Sequence, residues 1–304
     1  MERTDLFYRK LLDSIRDGVY FVDRERRITF WNKGAERITG YLAEEVVGLR
    51  CADTILQHVD RDGACLCTGD CPLAAIIRGD APDCTAEILL RHREGHRVPV
   101  HIRGSVIRDE SGEVAGAVEV FSEIALPHAY DSLRELDAGA LLDPLTGIGN
   151  RRYLEMKVRQ ALADFRDAGV PFGLIVFDID RFKETNDTWG HLVGDRVLKM
   201  VTETVRMNIR ATDAVCRFGG DEFVVVVNHS AGGQIVRIGE KLRKFVEHSF
   251  ILVEGSPVSV TISLGAVSAD DGDDAESIFG RADDLLYEAK RQGRNRLVFC
   301  TTPC

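Results

Sequence analysis

The amino-acid sequence predicts an α+β protein of two domains. Its 304 residues are about twice the length of an average domain, and 44% of them are hydrophobic, which is enough for two packed cores. The first part of the chain has the patterns of two strands, small helices and three further strands, whereas in the second part strands alternate with longer helices. We therefore expect a first domain over 1–125, a helical linker over 126–142 and a second domain over 143–304.

The first domain is expected to be an antiparallel sheet with small helices. Short turns separate its first two predicted strands and its last three, and the last three alternate apolar with polar residues, which favours antiparallel pairing. These strands are 18–23, 27–31, 85–92, 97–107 and 114–123. The predicted helices are 5–16, 33–39, 43–47 and 71–79. Gly40 should end the second of these helices, because glycine is a common helix stop.

The linker is expected to form one amphipathic helix. Its apolar residues recur at steps of three and four. They are Leu126, Tyr130, Leu133, Leu136 and Ala140. The helix should end at Asp143, because the proline at 144 disfavours helical geometry in the residue before it. Two heptads are too short to hold a dimer alone, so the segment is either a spacer or a signalling coiled coil that works alongside the flanking domains.

The second domain has the β-α-β-β-α-β order of the ferredoxin-like fold. Its predicted strands are 172–177, 214–218, 222–227, 258–266 and 296–300, and its predicted helices are 151–168, 192–209, 233–248 and 275–292. The apolar run 172–177 suits a strand that is covered on both faces. Gly219 and Gly220, between two strands, indicate a tight hairpin.

Composition limits the classes of partner. The net charge of −10 argues against a protein that coats nucleic-acid phosphates, although one basic pocket for a nucleotide remains compatible with it. No apolar run approaches the roughly 20 residues that cross a bilayer, and the charged start of the chain does not resemble a signal peptide. We expect no nucleic-acid partner, no membrane contact and a cytoplasmic location.

Two acidic clusters lie where this type of fold opens a site. Asp178 ends a buried apolar strand, and Asp221 and Glu222 follow the Gly219-Gly220 turn. A buried carboxylate is costly unless it is paired or binds a cation, and carboxylates together with substrate phosphates suit Mg²⁺. The alternatives to a metal site are that Asp178 caps the N-terminus of a helix and that Asp221 and Glu222 lie in a solvated turn. The presence of both clusters in one ferredoxin-like unit, as in the palm domains of nucleotide polymerases, favours the metal site.

A third set of polar residues suits phosphate and base recognition. Lys183 can neutralise phosphate oxygens during phosphoryl transfer. Asp195 can accept hydrogen bonds from guanine, and Asn186 can bond other polar edges of the ring, although each alone also suits a turn or a helix cap. Lys290 and Arg294 can clamp a triphosphate or simply interact with the end of a helix dipole.

Residues 143–300 resemble a GGDEF domain, the catalytic module of diguanylate cyclases. The similarity begins at Asp143-Pro-Leu-Thr-Gly and Asn150-Arg-Arg and continues through FDID, FKETND, GHLVGD and RFGGDEF to SLG (263–265), YEAK and GRN. A series of ordered motifs over a whole domain is far more specific than a lone glycine-rich match. The resemblance implies a homodimer in which two GTP molecules, one per domain, condense to cyclic di-GMP with release of two pyrophosphates.

The same resemblance implies roles for individual residues. It implies two Mg²⁺ ions per site, replaceable by Mn²⁺, held by Asp178, the Ile179 carbonyl and Glu222. It also implies that Asp221 helps to deprotonate the 3′-hydroxyl group and that Lys183 stabilises the transition state. The substrate-binding residues it implies are Phe182, Lys183, Asn186, His191, Asp195, Gly219, Gly220, Lys290 and Arg294. Because the signature is intact and Asp195 is retained, we expect an active enzyme that prefers GTP to ATP.

An Arg-x-x-Asp motif precedes the GGDEF turn. The motif runs from Arg210 to Asp213, and at this offset it resembles the inhibitory product site of the family. The resemblance implies that Arg210 and Asp213 bind cyclic di-GMP. Lys241 stands where the family often has an arginine, so the charge is kept but the guanidinium fork is lost. A simple surface ion pair is the alternative.

Residues 8–124 resemble a PAS sensor domain. The similarity rests on strand 18–23, the segments 28–32, 35–36 and 38–41, and the three late strands. It implies that a signal in this domain turns the linker helix and sets whether two catalytic half-sites face each other. The sensed ligand and the direction of regulation stay open.

The PAS-like region carries a cysteine-rich insert. Its cysteines, a possible sensor cluster, are Cys51, Cys65, Cys67, Cys71 and Cys84. They could bind Zn²⁺ or an iron–sulfur cluster or form a redox disulfide, but their spacing matches no standard site, which favours a thiol-rich loop without a cofactor. Haem bound through His58, His92, His96 or His101 is a further alternative.

Two other functions compete with the cyclase. The first is an inactive GGDEF domain that serves as a receptor of cyclic di-GMP or GTP, and the intact Asp178, Lys183, Asp221 and Glu222 argue against it. The second is a redox or metal sensor whose output is partner binding by the PAS-like half.

Overall fold

The computed structural model describes residues 2–53, 55–69, 71–124 and 138–300. The chain divides into two compact units, Met1–Ala125 and Leu126–Cys304. Most of the predicted linker helix, over 126–137, lies outside the described residues. Over the described ranges, no helix combines the length and the apolar character that crossing a bilayer requires.

The N-terminal unit is an antiparallel sheet flanked by short helices. Its helices are α1 (Glu2–Asp13), α2 (Lys33–Thr39), α3 (Ala43–Val46) and α4 (Pro72–Arg78). Its strands are β1 (Gly18–Asp23), β2 (Ile28–Trp31), β3 (Asp83–Arg91), β4 (Arg97–Arg108) and β5 (Val114–Glu123). They form one sheet in the order β2-β1-β5-β4-β3, in which every neighbouring pair is antiparallel. The predicted antiparallel sheet is confirmed.

Local signals determine where α2 begins and ends. The buried Asn32 side chain accepts the Ala35 amide and donates to the carbonyl oxygens of Leu12 and Asp17. Gly40 ends the helix in the left-handed conformation, with φ 76°, as expected for a glycine stop. Asn32 therefore caps α2 and also fastens it to the chain that precedes β1.

The C-terminal unit holds longer helices around a second sheet. Its helices are α5 (Ala138–Leu141), α6 (Arg151–Ala168), α7 (Phe182–Trp189), α8 (His191–Arg206), α9 (Gly232–Glu247) and α10 (Ala275–Arg291). Its strands are β6 (Phe172–Ile179), β7 (Ala214–Gly219), β8 (Glu222–Asn228), β9 (Phe250–Val253), β10 (Ser256–Ser259), β11 (Ile262–Ser268) and β12 (Leu297–Cys300).

The main sheet of this unit has the predicted ferredoxin-like topology. The strand order is β12-β11-β6-β8-β7, and the four strands from β11 to β7 pair antiparallel. The last strand, β12, extends the sheet by pairing parallel to β11. Every residue of β6 is buried, which agrees with the continuous apolar run in its sequence.

Two elements differ from the sequence prediction. The single strand expected over 258–266 is divided between β10, which pairs with β9 in a separate ribbon, and β11, which joins the main sheet. The alternating Val258, Val260, Ile262 and Leu264 are all buried, so their pattern does not reveal the division. Helix α7 was not predicted, because none of its residues is buried and it lacks an apolar stripe.

Candidate active site

Strand register brings the two acidic clusters together. Asp178 lies near the end of β6 and is 8% exposed. It is paired with Glu222 across the β6–β8 ladder. Residues directly opposite each other in an antiparallel pair have Cβ atoms about 5 Å apart on the same face of the sheet. The Ile179 amide also donates to the Asp221 carbonyl oxygen at 3.3 Å, which keeps the turn beside the end of β6.

The surroundings of Asp178 favour a cation. Burial raises the pKa of Asp178 to about 6, and the charges of Asp221 and Glu222 act in the same direction. Lys290 opposes them, since its Nζ lies 2.9 Å from Asp178 Oδ2. A positive charge beside grouped carboxylates offsets their repulsion and favours their ionised forms.

The donor set fits Mg²⁺. Asp178, Glu222 and the Ile179 carbonyl would supply oxygen ligands, which this ion prefers, and the ion normally binds through one or two carboxylates plus substrate phosphates. The Lys290 ammonium group already stands as a cation against the Asp178 carboxylate. These residues could therefore hold a divalent ion once Lys290 shifts toward a phosphate group.

The neighbouring Asp180 is used by the protein itself. Its carboxylate accepts the hydroxyl groups of Thr261 and Ser263 at 2.7 and 2.6 Å and the Asn295 amide at 3.0 Å. These bonds tie the end of β6 to β11 and to the turn after α10. Asp180 therefore holds the elements of the site together, whereas Asp178 faces the acidic turn.

The Gly219-Gly220 turn is open to an approaching ligand. A Cβ atom added at either glycine would meet nothing within 4 Å, and Gly220 adopts a positive φ of 51°. The Arg217 guanidinium binds the Gly220 carbonyl oxygen and the Asp143 carboxylate. Sequence analysis assigned no function to Arg217 or Asp143, although both lie inside motifs that carried the resemblance.

The two residues expected to recognise the base lie on adjacent helices. A Cβ atom at Gly194 would lie 1.9 Å from Asn186 Oδ1, so the Asn186 side chain occupies the space above Gly194, next to Asp195. The Gly190 amide donates to the Asn186 carbonyl oxygen at 2.8 Å and joins α7 to α8. Lys183 and His191 are exposed nearby in sequence.

The two expected phosphate clamps lie in different places. Lys290 contacts Asp178. Arg294, which has a positive φ of 66°, lines a groove of about 570 Å³ together with Arg181 and Trp189 of the α7 region, and neither Lys183 nor Lys290 lines this groove. The predicted residues are therefore only partly brought together in this structure.

The Arg-x-x-Asp motif lies at the other end of β7 from the glycine turn, about 20 Å away for a strand of this length. Asp213 is 3% exposed, and its two carboxylate oxygens accept the backbone amides of Arg210 and Asn228 at 3.1 and 3.0 Å. The Arg210 side chain is exposed, and Lys241 lies over the Phe245 ring of its own helix. Any ligand of Asp213 must use the remaining lone pairs of its carboxylate.

The cysteines of the sensor cluster differ in burial. Cys51 and Cys71 are buried, Cys67 and Cys84 are half-buried and Cys65 is exposed, all as free thiols. The His58 amide donates to Cys67 Sγ at 3.2 Å. Burial raises the pKa of Cys67 to about 12, so this thiol is protonated and weakly nucleophilic at neutral pH.

A second set of side chains in the N-terminal unit is of the types that bind metal ions. Among the described residues, ligand atoms of His92, Glu94 and His96 all lie within 4.8 Å of one another, and none of the cysteines belongs to this group. His92 Nδ1 accepts the Glu94 amide at 3.1 Å, which is a contact of the β3–β4 turn. The group is therefore also explained as part of the hairpin.

Comparison with known proteins agrees with this geometry. Residues 140–296 match the family model described as diguanylate cyclase, GGDEF domain, and residues 16–125 match a PAS domain model. The diguanylate cyclase DosC of Escherichia coli K12 is 37% identical over 157 residues, which are 51% of this chain and 34% of DosC. The diguanylate cyclase DgcP of Pseudomonas aeruginosa is 42% identical over 194 residues, which are 61% of this chain and 28% of DgcP.

A solved structure gives a similar result. The coiled coil and GGDEF domain of DgcB from Caulobacter crescentus, in complex with c-di-GMP, aligns with a TM-score of 0.52 and 29% identity over 56% of this chain and 91% of that one. This chain spans about a third of the length of the curated relatives it matches. Because the GGDEF model covers more than half of the chain, the protein belongs to the GGDEF family of diguanylate cyclase domains and carries a PAS domain ahead of that module.

Proposed function

We propose that this protein is a PAS-regulated diguanylate cyclase that is active as a homodimer. The observation that carries the proposal is the register of β6 with β8, which pairs the buried Asp178 with Glu222 beside the open glycine turn. Membership of the GGDEF family and the similarity to DosC and DgcP support the same activity.

The reaction joins two GTP molecules in two equivalent steps. The 3′-hydroxyl oxygen of one GTP attacks the α-phosphorus of the other, the bond between the α-phosphorus and its bridging oxygen breaks, and pyrophosphate leaves. Asp221 accepts the proton of the attacking hydroxyl group. The second transfer, in the opposite direction, closes the ring of cyclic di-GMP. Because each catalytic domain binds one GTP, two domains must face each other.

The residues of the site have separate roles in this reaction. Asp178, the Ile179 carbonyl and Glu222 would hold two Mg²⁺ ions, or Mn²⁺, which would neutralise phosphate charge. Lys183 stabilises the charge that develops in the transition state. The Phe182 and Lys183 amides at the start of α7, the open Gly219-Gly220 turn, Lys290 and Arg294 receive the phosphates.

The base-binding residues select GTP. Asp195 accepts from the ring N–H and the exocyclic amine of guanine, Asn186 bonds other polar edges, and His191 lines the pocket. A site built to hydrogen-bond one base rejects a base that leaves its polar groups unpaired. We therefore propose GTP rather than ATP as the substrate.

Incubation of the full chain with GTP and Mg²⁺ tests the activity. We expect cyclic di-GMP and two pyrophosphates per product, detected by chromatography with mass spectrometry, and a specific activity that rises with dimer concentration. Glu222→Gln should abolish the product while the variant still folds. Absence of product at every protein concentration, with cyclic di-GMP still bound, would favour the receptor function instead.

Regulation is proposed at two further places. A signal in the PAS domain, within 1–125, would act through the segment 126–142 on the catalytic domain, 143–304. Product would inhibit through Arg210, Asp213 and Lys241, where the exposed Arg210 supplies the guanidinium fork. Arg210→Ala should raise, by at least tenfold, the cyclic di-GMP concentration that inhibits the enzyme by half. The initial rate should stay unchanged.

A further inference from the structure

One ion pair joins the start of the catalytic domain to its glycine turn. The Arg217 side chain, on β7, is 16% exposed. Its Nε and Nη2 atoms both donate to the Gly220 carbonyl oxygen, at 2.9 and 2.7 Å. Its Nη1 atom donates to the two carboxylate oxygens of Asp143, at 3.2 and 3.3 Å. One guanidinium therefore connects two segments that are distant in sequence.

Asp143 is held firmly enough to act as an anchor. Its Oδ1 atom accepts the Thr146 amide at 2.9 Å and the Thr146 hydroxyl at 2.6 Å, and its own amide donates to the Ile148 carbonyl oxygen at 2.8 Å. Burial opposes ionisation, but the bonds from Thr146 and the charge of Arg217 outweigh it and lower the pKa of Asp143. The contact with Arg217 is thus a true ion pair at neutral pH.

The chain around Asp143 is fastened to α5 and to β7. The Asn150 amide donates to the Leu141 carbonyl oxygen at 2.9 Å, and the Asn150 side chain donates to the Ala140 carbonyl oxygen at 3.2 Å. The Arg217 amide donates to the Gly149 carbonyl oxygen at 2.8 Å. A shift of α5 would therefore reach β7 through both the backbone and the side chain of Arg217.

We propose that Arg217 is a positioning residue, which transmits the placement of the segment 138–150 to the Gly219-Gly220 turn and so sets the carboxylates of Asp221 and Glu222. The inference rests on the proposed cyclase function, in which those two carboxylates do the chemistry. Gly220 has no side chain to restrict its conformation, and the two bonds from Arg217 to its carbonyl oxygen add to the pairing of Gly219 with Glu222 in holding the turn at its positive φ. A lysine would keep the charge but not the planar fork.

Kinetics of the full chain test the positioning. Arg217→Lys and Asp143→Asn should each lower kcat at least tenfold and change KM for GTP less than threefold, because the base-binding residues on α7 and α8 are untouched. The double variant should lose no more than about twofold beyond the worse single variant, since both changes break the same contact. The matched control is Arg206→Lys, which breaks a similar fork to Glu203 on α8 and should leave kcat within twofold.

Hydrogen exchange supplies a readout that needs no turnover. The amides of 219–222 should exchange at least fivefold faster in Arg217→Lys and Asp143→Asn than in the unchanged chain or in Arg206→Lys. Unchanged exchange, or a loss of activity that appears mainly in KM, would overturn the inference. If the unchanged chain makes no cyclic di-GMP while the exchange result holds, the proposed function fails but the anchoring of the turn stands.

Discussion

A buried carboxyl group with a raised pKa lies in each half of the molecule, Glu119 in the N-terminal unit and Asp178 in the C-terminal unit, and the surroundings of the two groups differ. Burial raises the pKa of Asp178 to about 6, and a lysine ammonium group lies 2.9 Å away. Burial raises the pKa of Glu119, on β5, to about 7, and this residue is 1% exposed. The Tyr20 hydroxyl donates to Glu119 Oε1 at 3.0 Å.

The two carboxyl groups differ in the charges that surround them and in their access to solvent. His58 Nε2 lies 3.9 Å from Glu119, but burial and the charge of Arg97 lower the pKa of His58 to about 3, so this imidazole is neutral. Burial among neutral groups thus favours the protonated form of Glu119 and outweighs the hydrogen bond from Tyr20, which favours the ionised form. Asp178 lies near the end of the central strand β6, beside the exposed Glu222, where the proposed Mg²⁺ site would be. Burial of a carboxyl group alone does not make a metal site, and the proposed Mg²⁺ site adds to it an open strand end and neighbouring carboxylates.

The largest expected difference between the two groups is in catalysis. Asp178→Asn should lower kcat for cyclic di-GMP formation by about a thousandfold, because it removes the charge that would hold the proposed metal ions against the transferring phosphate. Pyrophosphate release with GTP and Mg²⁺ measures the effect. Glu119→Gln, assayed at pH 6, where Glu119 is mostly protonated, is the control and should keep kcat within threefold. Equal losses in both variants would contradict the comparison.

The next effect is the pH dependence of stability in the N-terminal unit. Between its usual pKa of 4.5 and about 7, Glu119 is protonated when folded and ionised when unfolded. At Glu119 the folded chain then binds more protons, so the contribution of this carboxyl group to the free energy of unfolding falls as pH rises through this window, by about 3 kcal/mol. The neutral His58 contributes in the opposite direction, because its pKa is lowered to about 3 in the folded chain. Above pH 7 the loss is complete.

Glu119→Gln should remove the contribution of Glu119 and leave that of His58. The variant should be more stable than the unchanged chain at pH 8 and no more stable at pH 4.5. Urea unfolding followed by Trp31 fluorescence, in a Trp189→Phe background, reports on the N-terminal unit. If the difference in free energy of unfolding between the variant and the unchanged chain stayed constant from pH 5 to pH 8, the carboxyl group would be ionised when folded and the prediction would be wrong.

A steric change tests the open site without altering its charges. Gly194→Ala places a Cβ atom where Asn186 Oδ1 lies, at 1.9 Å, so the Asn186 side chain must move. We expect KM for GTP to rise about tenfold, the loss of about one hydrogen bond to the base, with a smaller change in kcat. Gly280→Ala on α10, where a Cβ atom meets nothing within 4 Å, is the matched control and should leave KM unchanged. A normal KM in Gly194→Ala would exclude Asn186 from base recognition.

The smallest effect is stabilisation by the ion itself. Mg²⁺ at ten times its dissociation constant should stabilise the C-terminal unit by about 1.4 kcal/mol, measured as a rise in Tm. Asp178→Asn should abolish the rise, and Glu119→Gln should retain it. A rise that persists in Asp178→Asn would place the ion elsewhere.

Most elements could be predicted because their signals are local. The apolar period predicted α6 over 151–168, the alternating pattern predicted β4 over 97–107, and the paired glycines predicted the turn between β7 and β8. Helix α7 escaped prediction because it buries no residue, and the strand expected over 258–266 was wrong because two strands of different sheets share one alternating pattern. The period of the apolar residues indicates which residues of an element are buried, but not which other element they pack against.

The sequence by itself determined the two-domain order, the strand topology and the types of side chain available for phosphate, base and metal. Only the tertiary structure decided that Asp178 pairs with Glu222 while Asp180 is taken up by Thr261, Ser263 and Asn295. It also decided that Arg217 reaches Asp143. The physical reason is that residue type and period are properties of a short segment, whereas the partner of a side chain depends on strand register between segments far apart in the chain.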